Sequence, residues 1–213
     1  MSHFIGLCFG EGWESNLDYY YEGLEVESYV VYTKEEAIDL AKKDQAKAYE
    51  NAIEALQKED LSSESRKHYE YVIEKGLFLP YEEAWEEAKM WGYEVDEEEN
   101  LTTTYNPNSK WDWYCIGGRW PGFLVLKEKD ENGERIRVDS ALFKEIDWDY
   151  MLENKHVPFN FVTEEGDWYE KGEMGWWGMT ANEKEKDVWI EEIKKHLVLV
   201  DDDCLVTSVD FHI

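Results

Sequence analysis

The spacing of the apolar residues changes at Thr33, and this change restricts the possible folds more than any other feature of the chain. Before it, "HFIGLCF" at 3–9 is a short apolar run and "LEVESYVVY" at 24–32 alternates, so both segments predict strands. After it, apolar residues recur at helical spacing over 37–56, and Thr33 with Glu36 forms a capping-box pattern. Strands followed by a long amphipathic helix predict an α+β fold with a mainly antiparallel sheet and packed helices.

Two more helices are predicted after the long one. The first begins near Ser62 and stops at Gly76, and the second begins after Pro80 and stops at Gly92. The three helices together predict a helical lobe over 33–92 within a single α+β domain that comprises all 213 residues.

The rest of the chain has the pattern of strands and turns. "GFLVLKEKDENGERIRV" has Asn132-Gly133 near its middle, which predicts a hairpin, and "PFNFV" with "WYEK" predicts a second hairpin. Asp147 is expected to cap a short helix, and Asn182 with Glu185 forms a capping-box pattern for the last helix. The closing "CLVTSVDFHI" predicts a strand, and we expect it to share one sheet with the first strand and the Asn132 hairpin.

Charge and cysteine content restrict the possible partners and compartments. The 22 basic and 50 acidic residues give a net charge of −28, which repels nucleic acids and anionic membranes and attracts a basic protein. The 3 cysteines are widely spaced, without a CxxC pair, and the first residues lack a secretion signal, so a cytoplasmic protein is predicted. Without a P-loop, Rossmann or HExxH motif, we predict no cofactor and no metal.

The segment "YNPNSKWDWYCIGGRW" at 105–120 combines aromatic and charged residues. If "KWDWY" is a strand, its alternation places Lys110, Asp112 and Tyr114 on one face, and Trp111, Trp113 and Cys115 on the other, toward the core. Gly117-Gly118 then permits a corner with Arg119 and Trp120 just beyond it. There an arginine can fork onto an anion while an indole stacks on a planar group. Alternatively, Arg119 pairs with Asp112 in a packed aromatic corner.

Two later segments could complete a ligand site. "EMGWWGMT" places two adjacent indoles between glycines, and "VDFHI" places Asp210 and His212 on the same face of a strand. We expect the "KWDWYCIGGRW" and "VDFHI" segments to meet, so that Arg119 or Asp112 approaches Asp210 or His212. The candidate ligand-binding residues are Lys110, Asp112, Arg119, Trp120, Trp176, Trp177, Asp210 and His212.

The acidic run "EEAWEEAKMWGYEVDEEEN" suggests a different kind of site. Rows of carboxylates can imitate the phosphates of a nucleic acid and capture a positively charged groove, and tryptophans can anchor the contact. The candidate partner-binding residues are Glu82, Glu83, Trp85, Glu86, Glu87, Trp91, Glu97, Glu98 and Glu99.

The motifs "YNPNSKWDWYCIGGRW", "MGWWG" and the terminal "VDFHI" resemble a family of small proteins from phages and from bacteria that carry prophages. The similarity extends from the first strand to the last residue, with the helical block as the variable part. The resemblance implies a protein of the infected host's cytoplasm, and small acidic proteins of this kind resemble inhibitors of host defence.

Two functions are therefore expected. The first is an acidic interaction protein that binds and inhibits a host protein with a basic surface, either a defence protein or a nucleic-acid-binding one. The alternative is a small-molecule or nucleotide-binding protein, or an enzyme, that uses the "KWDWY", "GGRW" and "DFH" segments. The sequence leaves the identity of the target and the oligomeric state open.

Overall fold

The computed structural model describes residues 2–58, 60–175 and 178–213. Its α-helices are α1 (Trp13–Leu17), α2 (Lys34–Leu56), α3 (Ser63–Lys75), α4 (Tyr81–Lys89), α5 (Trp148–Glu153) and α6 (Lys186–Leu197). Its strands are β1 (His3–Phe9), β2 (Tyr29–Tyr32), β3 (Glu94–Val95), β4 (Leu101–Thr103), β5 (Trp113–Ile116), β6 (Leu124–Lys129), β7 (Arg135–Val138), β8 (Ser140–Leu142), β9 (Asn160–Val162), β10 (Trp168–Glu170), β11 (Glu173–Met174), β12 (Thr180–Ala181) and β13 (Leu205–His212). These elements confirm the predicted α+β fold with mostly antiparallel pairing.

The chain forms two compact units. One contains Met1–Glu25 and Asn106–Ile213, and the other contains Val26–Tyr105. The second unit holds the three predicted helices and adds a three-stranded sheet of order β2-β4-β3. Its core lies between α2, α4 and β4, with Ile38, Trp85 and Leu101 among the buried residues. Within the described residues, no helix has the length and the apolar character needed to cross a bilayer.

The first unit is built on a six-stranded sheet. Its strand order is β10-β9-β1-β13-β5, and β8 also pairs with β13. The first and last strands pair antiparallel along their full length, from His3 opposite His212 to Phe9 opposite Val206. Because β1 and β13 are central, both of their faces are covered, which explains why these segments are almost continuously buried.

Each face of this sheet has its own core. One face carries Leu7, Phe9 and Val206, against which Trp189 of α6 packs. The opposite face carries Phe4 and Phe211. There α1, which a short 3-10 turn follows, contributes Trp13 and Leu17 to this core.

The hairpin at Asn132-Gly133 is present, but its predicted place in the main sheet is wrong. Strands β6 and β7 form a separate two-stranded sheet. The first residues of the hairpin, Phe123 to Val125, are buried in the core beside Leu7 and Phe9. The hairpin thus joins the fold mainly through its side chains, together with one isolated antiparallel bridge between Leu126 and Ile146.

The helix starts follow the predicted caps with one exception. Thr33 and Glu36 form the full capping box, and Ser62 and Asp147 cap their helices as predicted. The capping box predicted from Asn182 and Glu185 is wrong, because α6 starts at Lys186 with no side-chain cap. Asn182 instead has φ of 51° and donates a hydrogen bond to Glu173 Oε1 at 3.1 Å, so it serves the turn after β12.

Candidate functional site

At one end of the large sheet, three neighbouring strands bring two of the motif segments together. The register pairs Trp113 of β5 with His212 of β13, and His212 with His3 of β1. The next pair on the same face is Cys115 with Asp210. Directly opposed residues point to the same face of a sheet. The contact predicted between the "KWDWYCIGGRW" and "VDFHI" segments is therefore confirmed.

Each of the two histidines contacts a carboxylate. The Nδ1 atom of His212 lies 2.5 Å from Oδ1 of Asp112, and Nδ1 of His3 lies 2.9 Å from Oδ1 of Asp210. We call these four residues the His–Asp cluster. An ionised carboxylate only accepts hydrogen bonds, so each Nδ1 donates and each Nε2 is the remaining basic nitrogen. Within the described residues, neither Nε2 has a hydrogen-bond partner.

Aromatic rings pack closely around the two imidazoles. Trp113 stacks on His212 with 4.9 Å between ring centroids, and His3 meets His212 edge to face at 4.8 Å. His3 also contacts the Trp113 ring edge to face at 5.3 Å. The histidines are mostly buried, whereas Trp113 keeps 44% of its surface exposed. The cluster thus lies beside an indole that reaches the solvent.

The Gly-Gly corner holds the buried carboxylate of the cluster. Gly118 has φ of +51°, and a Cβ atom at this position would lie 2.3 Å from Cβ of Asp210. This close approach lets the backbone N–H of Arg119 donate to Oδ2 of Asp210 at 2.9 Å. Both carboxylate oxygens of Asp210 therefore have partners, as burial of a charged group requires.

The predicted faces of the "KWDWY" segment are wrong. Strand β5 begins only at Trp113 and the chain bends at Asp112, so the alternation does not extend back to Trp111. Trp111 is buried as expected, and its Nε1–H donates to the carbonyl oxygen of Leu17 at 3.1 Å. Tyr114, however, packs inward on Phe211, and Trp113 lies on the face of the His–Asp cluster.

The structure separates other predicted ligand residues from the cluster. Lys110 forms an ion pair with Glu170 at 2.7 Å and lines a cavity with Phe4, on the opposite face of the sheet. Trp120 packs against the core that contains Leu7. The alternative pair of Arg119 and Asp112 does not form, because Asp112 contacts His212 and the Arg119 side chain is exposed. Trp176 and Trp177 lie outside the described residues.

His3 is the cluster residue that the sequence reasoning missed. No ligand spacing links it to another histidine along the chain. The available signal was the pairing of the first and last strands, since an antiparallel register of His3 with His212 places both imidazoles side by side. Among the described residues, no group of three or more His, Cys, Asp or Glu side chains has the arrangement of a metal site.

In the acidic segment of the second unit, the two tryptophans pack in or against the core and are not the exposed anchors that were predicted. Trp85 is only 5% exposed and belongs to the core, and Trp91 packs partly buried against Tyr32. Trp85 therefore does not present its indole to a partner. The carboxylates Glu86, Glu87 and Glu99 form ion pairs with nearby lysines.

The remaining predicted carboxylates of this segment stay on the surface. Glu82, Glu83, Glu97 and Glu98 are exposed, and none of them forms an ion pair within the described residues. The carboxylates in this part of the acidic surface therefore lack a paired lysine or arginine among the described residues.

In comparisons with known proteins, no family model, no curated protein and no solved structure matches the chain. The resemblance to phage proteins therefore stays a prediction, and the function has to be argued from the residues of the site.

Proposed function

We propose that the protein binds a small anionic molecule with a planar ring, such as a nucleotide, at the His–Asp cluster and exchanges a proton with it. The observation that carries this proposal is the pairing of two imidazoles with two carboxylates on one face of the sheet. At the other end of the same face, Leu7, Phe9 and Val206 pack as ordinary apolar core. Packing alone therefore does not require the histidines and their carboxylates.

The carboxylates give the imidazoles a defined chemistry. Asp112 and Asp210 bind Nδ1 of their histidines, which fixes the orientation of each ring and favours the form with a basic Nε2. A histidine oriented by a carboxylate in this way can accept or deliver a proton at Nε2. Two such rings, 4.8 Å apart between centroids, allow one imidazole to take a proton while the other supplies one.

The surroundings of the cluster favour a planar anion. Trp113 provides a partly exposed indole on which a flat ring can stack, and the exposed guanidinium of Arg119 can fork onto a phosphate. The backbone N–H of Arg119 donates to Asp210, so the residue that carries this guanidinium adjoins the cluster.

The test is a nuclear magnetic resonance titration of the histidine ring nitrogens with the four nucleoside 5′-monophosphates. We expect at least one nucleotide to shift the Nε2 signals of His3 and His212, and the matching nucleoside without phosphate to bind more weakly. Arg119→Ala should weaken binding about 10-fold, the loss of one charge-assisted hydrogen bond. Arg137→Ala, another exposed arginine of the same unit, is the matched control and should leave binding unchanged.

Asp112→Asn provides a second, more specific measurement. It removes the negative charge beside His212 but keeps the size of the side chain, so it should change the tautomer signal of His212 and reduce binding. If no nucleotide shifts either histidine while the protein stays folded by circular dichroism, the proposal is wrong.

A second candidate function is capture of a basic host protein by the acidic surface, as the phage resemblance suggests. The exposed Glu82, Glu83, Glu97 and Glu98 favour it, since they lack ion-pair partners within the described residues. With Trp85 in the core, this contact would depend mainly on charge. Replacing the seven glutamates of the predicted surface by glutamines should slow association at low salt, and the difference should vanish near 1 M salt, where the screening length is about 3 Å.

A further inference from the structure

Two adjoining cavities lie between the β9–β10 hairpin and the end of α6. Their volumes are about 260 Å³ and about 440 Å³. Both are lined by Tyr169, His196 and Leu199, so they adjoin at these three residues, and we call the pair of cavities the hairpin groove. The groove lies toward the Phe9 end of β1, roughly 20 Å from His3 at about 3.3 Å per residue, and is separate from the His–Asp cluster.

The floor of the groove is aromatic. Phe161 stacks on Tyr169 with 4.9 Å between centroids and on His196 with 4.6 Å. One ring face of Tyr169 is used in this stack, and the residue remains 43% exposed. Leu199 at the rim is 81% exposed. The groove thus offers an accessible aromatic ring beside an exposed apolar side chain.

The two cavities differ in charge. Glu164, Glu165 and Asp167 line the smaller cavity, and within the described residues no lysine or arginine lines it with them. In the larger cavity, Lys184 forms an ion pair with Glu192 at 2.7 Å, and Lys195 lies nearby. Only the smaller cavity therefore carries uncompensated negative charge.

The histidine between the cavities does not offset that charge at neutral pH. His196 is packed between Phe9 and Phe161, and its buried Nε2 atom has no hydrogen-bond partner among the residues that the structure describes. Burial lowers the pKa of His196, while the nearby Glu165 has a smaller opposite effect.

The turn that carries the carboxylates is held by hydrogen bonds. The backbone N–H of Asp167 donates to Thr163 Oγ1 at 3.1 Å, and Asn16 donates to the carbonyl oxygen of Glu164 at 3.0 Å. Tyr20 donates its hydroxyl proton to the carbonyl oxygen of Gly166 at 2.8 Å. A turn fixed before binding loses less conformational freedom when a ligand arrives.

We propose that the hairpin groove binds an arginine side chain of a partner protein, with an apolar neighbour of that arginine in the larger cavity. A guanidinium can fork onto the carboxylates of the smaller cavity while its plane stacks on the exposed face of Tyr169. Nucleic acid and anionic lipid are disfavoured as occupants because their phosphates would meet Glu164, Glu165 and Asp167.

The test uses the full chain and two capped peptides, acetyl-Leu-Arg-Leu-amide and the same peptide with citrulline in place of arginine. Citrulline keeps the shape of the side chain but lacks its charge. Amide chemical shifts should change at Glu164 to Tyr169 with the arginine peptide, and the citrulline peptide should bind at least 10-fold more weakly. Equal binding of the two peptides, or no shift at these residues, would overturn the proposal.

Variants and a smaller probe separate the two halves of the groove. Asp167→Asn should weaken the arginine peptide about 5-fold, and Tyr169→Leu should weaken it by a similar factor through loss of the cation–π contact. Glu131→Gln, which removes an exposed carboxylate in the β6–β7 turn, is the control and should have no effect.

L-Argininamide alone should bind more weakly than the peptide. If it binds equally well, the larger cavity takes no part and a partner segment is the wrong occupant.

Discussion

The segments at 110–120 and 82–99 look alike in sequence, because each combines tryptophans with charged residues, but they differ in the structure. In the first, Trp113 is exposed and its neighbours join the His–Asp cluster. In the second, Trp85 is buried, and Glu86 and Glu87 form ion pairs with lysines. A mixture of indoles and charges therefore does not identify a functional surface, since the direction of each indole decides what its neighbours can do.

The difference follows from the type of element. On α4, Trp85 lies on the same stripe as Ala84 and Ala88, and that stripe faces the core. On β5, successive side chains alternate, so Trp113 must lie on the opposite face of the sheet from Tyr114, which packs on Phe211. On the helix, the small side chains of Ala84 and Ala88 leave room in the core for the large indole of Trp85. On the strand, the alternation directs the ring of Trp113 to one face and the ring of Tyr114 to the other.

The largest effect is expected from removing the buried indole. Trp85→Ala should lower the free energy of unfolding by about 3–5 kcal/mol through loss of burial and creation of a cavity. Trp113→Ala should cost about 1 kcal/mol or less, since it mainly loses its stacking on His212. Urea unfolding followed by circular dichroism compares the two variants, and similar losses would contradict the contrast drawn between the segments.

A smaller effect is expected at the glycine corner beside the cluster. Gly118→Ala should destabilise the protein by about 2–3 kcal/mol, because a left-handed φ is strained for alanine and the new methyl group meets Asp210. Gly92→Ala, at a φ of +88° with open space around it, should cost only about 1 kcal/mol. The difference in stability loss between the two variants, measured by thermal unfolding, gives the destabilisation that is due to the contact with Asp210. Equal losses of stability would show that this contact has no energetic role.

The smallest effect concerns a carboxylate in the acidic segment. The backbone N–H and the side chain of Asn100 donate to Asp96, and these bonds lower the pKa of Asp96 in the folded state. Its stabilising contribution is therefore present above about pH 3.9, the ordinary Asp value, and is lost as the pH falls through the lower folded value.

A carbon-13 titration of the Asp96 carboxyl group should give a midpoint below the ordinary value, and Asn100→Ala should raise that midpoint in part. The backbone bond remains in this variant, so full recovery of the ordinary value is not expected. A midpoint at or above the ordinary value in the unchanged protein would show that this carboxylate is free surface charge and not part of the turn.

Features that depend on residues close together in the chain could be predicted from the sequence. The capping box of Thr33, the cap by Asp147 and the turn at Asn132-Gly133 are each built from side chains within a few positions, so their patterns predicted them correctly. The α+β class followed from the spacing of apolar residues, which is set by which face of each element is buried. The contact of "KWDWY" with the last strand was also predicted, from the unusual polar residues in both segments.

The set of residues that form the candidate site depends instead on how distant segments pack together. His3 joins the cluster because β1 and β13 pair in one register, which brings residues 3 and 212 together across the length of the chain. The burial of Trp85 and the separate sheet of the Asn132 hairpin likewise depend on packing between distant segments. A strand shifted by one residue turns every side chain to the other face, so spacing along the chain does not determine which groups meet.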